Sequence, residues 1–441
     1  MNKKKWIEYA LANGFDSFEI YQETGKTKTV NWYQGTTDSA VTSRVTGTAL
    51  RGRISGKMLS YATEETGDEH MEQIINEMKE QAGIIGSSES GTILSPEKTD
   101  ECTSSRTYTP FTNEEIRAAL SDLEKSILAY DPCIVQAVHL VYEEESVERT
   151  IFNSKGLDIK DKGSVQVIGG GAVASRDGDI RNDFRHETVS SFDSFNAAAF
   201  ADKLCGEVVR QLGAGPVKST SCPVIFEKEA MTSLFAAFSD IFSGDRISRG
   251  ISPLSGKEGR RIFSGLITMI DDPREDAAPF IYNYDDEGHP TCRKYVVREG
   301  VFETVLHSTE SAARMNTVSS GNGFKGGCSA PVRAVPKNFF IVPGDMPLSG
   351  LMECIGNGLV ITDLAGLHAG LDHVTGDFSL QCSGYKVTDG ERAENVTLIT
   401  VAGNYLEMMD RVLAVGNDIE WKTSPAACPS IAFKELSIGG L

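Results

Sequence analysis

The feature that most constrains this fold is a series of alternating apolar and polar runs that are joined by turns. Three runs follow one another at 135–144, 147–153 and 164–175, and Asp177-Gly178 separates the third run from the next. An Asp-Gly pair between alternating runs is typical of a tight β-hairpin. Strands that are joined by short turns pair antiparallel, because a parallel pair needs a long crossover connection. The sequence therefore predicts antiparallel sheets in this part of the chain.

Helical periodicity interrupts the strands mainly in the first half of the chain. Four segments show this periodicity: 4–13, 68–81, 112–130 and 195–212. Thr112 and Glu115 have the spacing of a capping box, in which a hydroxyl and a carboxylate satisfy backbone N–H groups reciprocally. We therefore predict that a helix begins at Thr112.

The composition changes at Cys222, after which many short strands with frequent glycine turns follow a single helical segment. We predict an α+β protein. Its N-terminal α/β portion has antiparallel sheets and flanking helices, and its C-terminal domain is β-rich with few helices. The predicted domains are an N-terminal α+β domain (1–100), a middle α+β domain with antiparallel hairpins (110–215) and the β-rich domain (221–441). Residues 87–111 are rich in Ser, Thr, Glu and Gly, which predicts a linker or a long loop.

Charge and composition limit the partners of this chain. It has 43 Lys and Arg residues against 62 Asp and Glu residues, a net charge of −19. Nucleic-acid binding needs clustered basic residues, so we expect no nucleic-acid partner. No run approaches the roughly 20 apolar residues that span a bilayer, and Glu8, Asn13 and Asp16 interrupt any signal-peptide core, so we expect no membrane segment. The nine cysteines stand singly, which is typical of reduced thiols in a cytoplasmic protein.

Two glycine-containing segments carry patterns that occur in binding sites. Residues 321–326 match GxGxxG, but two prolines and no helical pattern follow, so a glycine turn is favoured over a phosphate-binding loop. Residues 285–289 read DDEGH, which resembles a cluster of metal ligands. Successive side chains of an extended stretch point in opposite directions, and DDEG suits a tight turn, so the turn is favoured here too.

Isolated histidines and cysteines complete the local candidates. His368 and His373 could share one metal ion, but their segment is glycine-rich and loop-like, so a loop role is favoured. Cys382 and Cys428 could be nucleophiles, but neither lies in a recognisable Cys/His motif, and buried thiols are favoured. The chain contains neither HExxH nor GxSxG. From local chemistry alone, no catalytic apparatus is indicated.

The helical segment between Glu227 and Asp245 has one strongly apolar face. Residues at three- and four-residue spacing form this face: Met231, Leu234, Phe235, Phe238, Ile241 and Phe242. Such spacing predicts an amphipathic helix that packs into a core. Gly244 is expected to end this helix.

Taken in order, several segments of the chain resemble the TldD/PmbA family, whose members are also called modulators of DNA gyrase or peptide-maturation proteins. In the C-terminal half these are SGDRISRG, IDDPRED, YDDEGHPT, REGVFETVLHSTESAARMN, SSGNG, VTGDFSLQCSGY, VAGNYLEMM and AVGND. In the N-terminal half they are FEIYQE, VTGTALRGRISGKMLSYAT and FNSKGLDIKDK. The resemblance covers nearly the whole chain.

The resemblance implies that this chain is the kind of subunit that lacks metal. In the TldD kind, the corresponding helix reads H-E-x-x-x-H-x-x-E-G-D, and its two histidines hold zinc while the glutamate acts as base. Aligned on Gly244-Asp245, the histidine positions hold Phe235 and Asp240. Ala236 replaces the glutamate, and Ser243 replaces the later acid. We therefore expect no catalytic residue and no metal ligand in this chain, which matches the PmbA (TldE) kind.

The same resemblance implies a function and a partner. A TldD-type subunit would supply zinc and the catalytic glutamate, forming a heterodimeric metalloprotease that processes or degrades unfolded peptides and peptide precursors in the cytoplasm. An extended peptide can add to a sheet edge through main-chain hydrogen bonds. The candidate contacts for such a peptide lie in two glycine-containing loops: Ser320, Gly321, Asn322, Gly323, Thr375, Gly376 and Asp377. The alternative is a homodimer that binds peptides or regulates another protein, as a gyrase modulator would, without proteolytic activity.

Overall fold

The N-terminal half is built on one antiparallel sheet. The computed structural model describes residues 1–84, 92–96 and 108–441. Within these residues the sheet has six strands in the order β3-β2-β1-β4-β5-β6. The strands are β1 (Ser17–Tyr33), β2 (Thr36–Ile54), β3 (Lys57–Thr63), β4 (Ile134–Asn153), β5 (Asp158–Arg176) and β6 (Asp179–Thr188). All of their pairings are antiparallel, as predicted. The runs 135–144 and 147–153, which were predicted to be two strands joined by a turn, instead form the single strand β4, because the polar residues between them continue the ladder with β1 and β5.

This sheet takes strands from both of the predicted N-terminal domains. Ile20 on β1 pairs with Leu50 on β2 on one side and with Phe152 on β4 on the other. Strands from 1–100 and from 110–215 are therefore hydrogen-bonded to each other. The division into these two domains stays a prediction, and most of the predicted linker 87–111 lies outside the described residues.

In the part of the chain that the structure describes, four α-helices flank this sheet, as the sequence predicted. They are α1 (Lys3–Ala12), α2 (Met71–Ile84), α3 (Asn113–Leu128) and α4 (Ala197–Arg210). The capping box is present, since the Thr112 hydroxyl accepts the Glu115 N–H and the Glu115 carboxylate accepts the Thr112 N–H. Helices α3 and α4 pack their buried apolar residues against one face of the sheet, where Leu140, Tyr142 and Ile168 complete the core.

The C-terminal portion is β-rich and has mixed sheets. Within the described residues, a six-stranded sheet has the order β16-β15-β14-β7-β19-β17, a five-stranded sheet has the order β10-β9-β8-β13-β18, and β11 pairs with β12. The strands are β7 (Thr220–Phe226), β8 (Met269–Asp271), β9 (Lys294–Arg298), β10 (Val301–Phe302), β11 (Gly323–Lys325), β12 (Val332–Ala334), β13 (Phe339–Ile341), β14 (Gly358–Ala365), β15 (Asp377–Thr388), β16 (Glu391–Asn404), β17 (Val412–Val415), β18 (Ala426–Ala427) and β19 (Ile431–Gly439).

The helices of the C-terminal portion are short. They are α5 (Lys228–Phe238), α6 (Gly244–Ile247), α7 (Thr309–Arg314), α8 (Leu348–Ile355) and α9 (Tyr405–Asp410). The predicted fold class, α+β with a β-rich C-terminal domain that has few helices, is confirmed. Within the described part of the chain, no helix is both long enough and apolar enough to cross a membrane. Every cysteine in that part is a free thiol.

Candidate functional site

Helix α5 lies in the largest hydrophobic core of the molecule. Phe235 is fully buried and stacks on Phe339, with ring centroids 4.5 Å apart and an interplanar angle of 28°. One turn later, Phe238 stacks on Tyr405 with centroids 4.5 Å apart and an angle of 20°. Phe235 therefore lies among packed aromatic rings. This packing confirms the prediction of an apolar core helix.

Asp240 lies in a 3-10 turn, Ser239–Phe242, that continues α5. One carboxylate oxygen accepts a hydrogen bond from Arg246 Nε at 2.9 Å. The other lies 3.0 Å from His373 Nδ1. Two basic side chains therefore contact both carboxylate oxygens of Asp240.

Gly244 begins a helix rather than ending one, so its predicted role as a stop is wrong. The Ser243 hydroxyl accepts the Asp245 N–H at 3.2 Å and caps α6. A side chain at residue 244 has no room, because a Cβ there would lie 2.3 Å from His307 Nδ1. Close approach to His307, not helix termination, explains the glycine. Ser243 was aligned with the second glutamate of the TldD-type helix. In this chain it caps helix α6.

Ala236 is the last of the four positions that the sequence analysis aligned with the zinc-binding helix. A cleft of about 480 Å³ lies beside it. Helix α5 supplies one wall, and the segment that contains Glu420, Lys422 and Thr423 supplies another. Lys422 pairs with Glu229 at 3.1 Å, and Lys228 pairs with Glu420. The cleft is within the size range of small-ligand sites. Its charged groups compensate one another, and Ala236 presents only a methyl group to it.

Glu227, immediately before α5, is an ionisable group that the sequence reading did not single out. Burial, followed by the neighbouring Glu229 carboxylate, raises the pKa of Glu227 from 4.5 to about 7. Perturbed carboxyls of this kind occur at functional sites and in structural cores alike. Its place in the sequence could have identified it, since it is an acidic residue between a buried strand and an apolar helix. Little water reaches a carboxyl at such a place.

The loop that contains Thr375, Gly376 and Asp377 lies against the end of α5. His373, two residues earlier, makes the contact through Asp240, and its ring centroid lies 5.5 Å from that of Phe238. Thr375 and Asp377 are exposed, whereas Gly376 is buried with φ +87°. The structure thus brings one predicted peptide-contact loop and the end of helix α5 together.

This loop is held by its own hydrogen bonds. The Asp372 carboxylate accepts the N–H groups of Val374 and Thr375 at 2.8 and 3.2 Å. The Thr375 hydroxyl donates to one Asp377 oxygen at 2.9 Å, and Asn404 Nδ2 donates to the other at 2.8 Å. The loop therefore presents polar groups at a surface without the freedom of a long flexible loop.

The second predicted peptide-contact segment, Ser320–Gly323, lies mostly inside the protein. Asn322 is fully buried, and its Nδ2 donates to Asp271 at 2.8 Å. Gly321 and Gly323 are also buried, and Ser320 is half-buried. Only Ser320 of these four residues therefore keeps partial exposure. That a peptide contacts this segment stays a prediction.

The glycine pattern at 321–326 continues into strand β11. A dinucleotide-binding loop would instead open a helix. The Gly323 N–H donates to Asp285 Oδ2 at 2.9 Å, and the Lys325 N–H donates to Asp286 Oδ2 at 2.8 Å. These backbone groups are thus engaged by side chains of the same protein, which supports a turn over a phosphate-binding loop.

The acidic run at 285–289 forms a turn, as predicted. Asp285 Oδ1 accepts the N–H groups of Glu287 and His289 at 3.0 and 2.9 Å. Asp286 pairs with Arg149 at 2.9 Å, and Glu287 lies 3.4 Å from an Arg51 nitrogen. Both arginines belong to the N-terminal sheet.

All three acids of this turn are buried. Burial and the Glu287 charge raise the pKa of the Asp285 carboxyl. The turn therefore docks the C-terminal portion on the N-terminal sheet. In the described ranges, no three His, Cys, Asp or Glu side chains come together as metal ligands.

The other local candidates also have structural roles or lie at the surface. Cys382 and Cys428 are buried, as predicted. Burial raises the pKa of the Cys382 thiol to about 12 and that of Cys428 well above its usual value. Such thiols are unreactive near neutral pH. His368 is exposed.

Family models match most of the chain. The PmbA/TldA metallopeptidase central domain matches residues 107–214, and the PmbA/TldA metallopeptidase C-terminal domain matches residues 219–440. The metalloprotease PmbA of Escherichia coli O157:H7 is 26% identical over 269 residues, which span 61% of this chain and 57% of that protein. A metalloprotease of Methanothermobacter thermautotrophicus is 27% identical over 421 residues, 93% of this chain and 88% of that one.

Solved structures share the fold over almost the full length. A protein from Thermotoga maritima, described as a modulator of a DNA gyrase, superposes with a TM-score of 0.90 at 24% identity and covers 99% of both chains. TldE from Thermococcus kodakarensis superposes with a TM-score of 0.87 at 21% identity, covering 99% of this chain and 100% of that one. With family models matching both its middle and its C-terminal part, the chain belongs to the PmbA/TldD metallopeptidase family.

Proposed function

We propose that this chain is the non-metal subunit of a two-subunit peptidase whose zinc and catalytic glutamate are carried by a TldD-type partner. The observation that carries the proposal is the packing of α5. Phe235 is buried against Phe339, Ala236 lines a cleft with a methyl group, and Asp240 is paired with Arg246 and His373. Zinc in a catalytic site needs three protein ligands and an open position, which these residues do not supply.

The chemical step then belongs to the partner. Zinc lowers the pKa of a bound water, and a neighbouring carboxylate takes the proton as that water attacks a peptide carbonyl. This chain would complete the substrate cavity and the interface, and the exposed Thr375 and Asp377 are its candidate contacts with the peptide. The substrates would be unfolded peptides or peptide precursors, and the assembly a cytoplasmic heterodimer. That a solved structure with the same fold is named TldE supports this assignment.

An activity assay tests the proposal. The chain and a TldD-type protein are purified separately and then mixed at equal concentration. Hydrolysis of an unfolded protein is measured for each component and for the mixture. We expect the mixture to be active, the activity to be lost with a zinc chelator, and the lone chain to be inactive. Chelator-sensitive hydrolysis by the lone chain would contradict the proposal.

A gain-of-function variant sharpens that assay. Phe235→His, Ala236→Glu and Asp240→His, combined in one chain, restore the residue types of the zinc helix but not the surrounding cavity. We expect this triple variant to remain inactive without a partner, because residue 235 lies in a packed core that cannot admit water. Activity in the lone triple variant would show that only the side chains of the helix separate the two kinds of subunit.

The second candidate is a homodimeric peptide-binding or regulatory protein without proteolytic activity. The described gyrase-modulator role of the Thermotoga maritima protein favours it. The net charge of −19 disfavours direct contact with DNA. If mixing with TldD-type proteins never yields hydrolysis while the lone chain forms a stable homodimer, this candidate replaces the first.

A further inference from the structure

Two clefts of the molecule lie side by side and have two lining residues in common. The first, about 480 Å³, lies beside Ala236 on α5. The second, about 360 Å³, lies on the N-terminal sheet. His186 and Thr423 line both clefts, and His186 Nε2 lies 3.1 Å from Thr423 Oγ1. The two clefts therefore meet at this contact, and together, from α5 to the sheet, they are called the groove.

The floor of the second cleft is the face of the sheet that α3 and α4 leave uncovered. The side chains of β4 alternate between the two faces, so Leu140 and Tyr142 enter the core below α3 and α4. Val141, Glu143 and Glu145 lie on the opposite face and line the cleft. The C-terminal portion contributes Phe280 and Thr423 to the same cleft.

Two glutamates on this floor have no compensating charge across the strands. Glu143 pairs in register with Thr29 and Val167, and Glu145 with Thr27 and Val165. Both glutamates are exposed, and no Lys, Arg or His of the described ranges forms an ion pair with either.

The intervening residue, Glu144, has a different environment. Its register partner on β1 is Lys28, so a positive charge lies directly across from it. Cross-strand pairs of opposite charge are stabilising, whereas a carboxylate opposite threonine and valine gains nothing from its neighbours. Of the three glutamates that line the second cleft, Glu143 and Glu145 are thus the two without a positively charged register partner.

The two ends of the groove have different chemistry. At the α5 end the lysines are paired with Glu229 and Glu420, and Ala236 and Leu367 add apolar surface. At the sheet end, Glu143 and Glu145 lie beside apolar side chains, including Phe184, which is 47% exposed. A compact ligand would fill one end only. A linear ligand with a cationic group and an apolar group at separate positions matches both ends.

We propose that this groove binds an extended polypeptide segment, with a lysine or arginine side chain at Glu143 and Glu145 and an apolar side chain in the cleft beside α5. The inference rests on the proposed function, in that it takes a peptide to be the ligand. It adds a second place of contact, besides Thr375 and Asp377, and a preference for basic side chains. Burial of Glu143 and Glu145 by a neutral side chain would leave two carboxylates without a partner, which disfavours such peptides.

Direct binding to the lone chain tests this inference without zinc or a partner. The probes are short, fluorescently labelled, unstructured peptides of alanine and leucine that carry one lysine, one glutamine or one glutamate at the same position. Fluorescence anisotropy gives the three affinities. We expect the lysine peptide to bind about tenfold more tightly than the glutamate peptide, which corresponds to about 1.4 kcal/mol. The difference should shrink as the salt concentration rises.

Two double variants assign the preference to the groove. Glu143→Gln with Glu145→Gln should abolish the preference for lysine while leaving the glutamine peptide bound as before. Glu8→Gln with Glu72→Gln removes the same number of charges from exposed positions on α1 and α2, and it should leave the preference unchanged. Thermal unfolding of each variant establishes that it is folded.

Three results would overturn the inference: no binding of any peptide, equal affinities for the lysine and glutamate peptides, or an unchanged preference in the Glu143/Glu145 double variant. These results are separable from a failure of the proposed function. The activity assay needs the zinc-bearing partner, whereas the binding assay contains only this chain.

Discussion

Helix α5 and the turn at 285–289 are the two buried regions for which the sequence raised the question of metal binding. Apolar side chains pack around the first, whereas ion pairs hold the second. In α5 the Phe235 side chain has no donor atom and packs against the ring of Phe339. In the turn the acids are present, but Arg149 and Arg51 neutralise Asp286 and Glu287. The first region therefore has no donor atom at Phe235, whereas the carboxylates of Asp286 and Glu287 in the second are already paired with arginines.

The difference shows what separates a site from a structural cluster. A carboxylate can bind a metal or a substrate only if its oxygens are accessible and lack another cation. The acids of the turn fail that condition, whereas Glu143 and Glu145 in the groove meet it.

The largest effect is expected at the ionic turn. Arg149→Met keeps much of the side-chain length but leaves Asp286 and Asp161 without their shared partner. Breaking a buried ion pair from one side costs about 3–5 kcal/mol of unfolding free energy. Denaturant unfolding of the variant measures this loss. Lys160→Met, which breaks the exposed pair with Glu148, is the control and should cost less than about 1 kcal/mol. Equal, small losses would show that the turn does not depend on these charges.

A comparable effect is expected in α5 from a change that involves no charge. Phe235→Ala removes a fully buried ring and should lower the unfolding free energy by about 3–5 kcal/mol. Leu266→Ala, at a residue that is 54% exposed, serves as the control and should change it by less than about 0.5 kcal/mol. A loss at Phe235 no larger than that of the control would mean that the ring is not part of a packed core.

A smaller, pH-dependent effect is expected at Glu227. Its pKa is raised from 4.5 to about 7, so the folded state favours the protonated carboxyl. Below pH 4.5 the carboxyl is protonated in both states and burial carries no charge penalty. As the pH rises from 4.5 through 7, ionisation increasingly destabilises the folded state. Glu227→Gln should therefore raise the unfolding free energy by about 1–3 kcal/mol at pH 8 and change it little at pH 4. A gain that is independent of pH would contradict burial as the cause.

The smallest effect is expected at Asp240. Asp240→Asn weakens its contacts with Arg246 and His373, but the carboxylate is 47% exposed. Exposed pairs contribute about 0–1 kcal/mol, so the unfolding free energy should fall by no more than that. Chemical denaturation at low and at high salt measures the change, and salt should diminish it. A loss of several kcal/mol would show that Asp240 holds the adjoining loop in place.

The sequence predicted those features that depend on local pattern. Alternation and turns predicted the antiparallel sheet, the spacing of Thr112 and Glu115 predicted a helix start, and apolar periodicity predicted the buried face of α5. The contacts that decide whether a polar side chain is paired inside the protein or free to bind a ligand are long-range. Asp240 and His373 are 133 residues apart, and Arg149 and Asp286 are 137 apart. Periodicity carries no information about such pairs. The role of Gly244 was missed for the same reason, since it depends on contact with His307.

The proposed function assigns metal binding to a partner and not to this chain. Metal analysis after equilibration with zinc and removal of excess metal tests the claim directly. The lone chain should retain essentially no zinc, and a one-to-one complex with a TldD-type protein should retain about one zinc ion, as a single catalytic site requires. About one zinc ion per lone chain, lost on Asp240→Asn, would contradict the account.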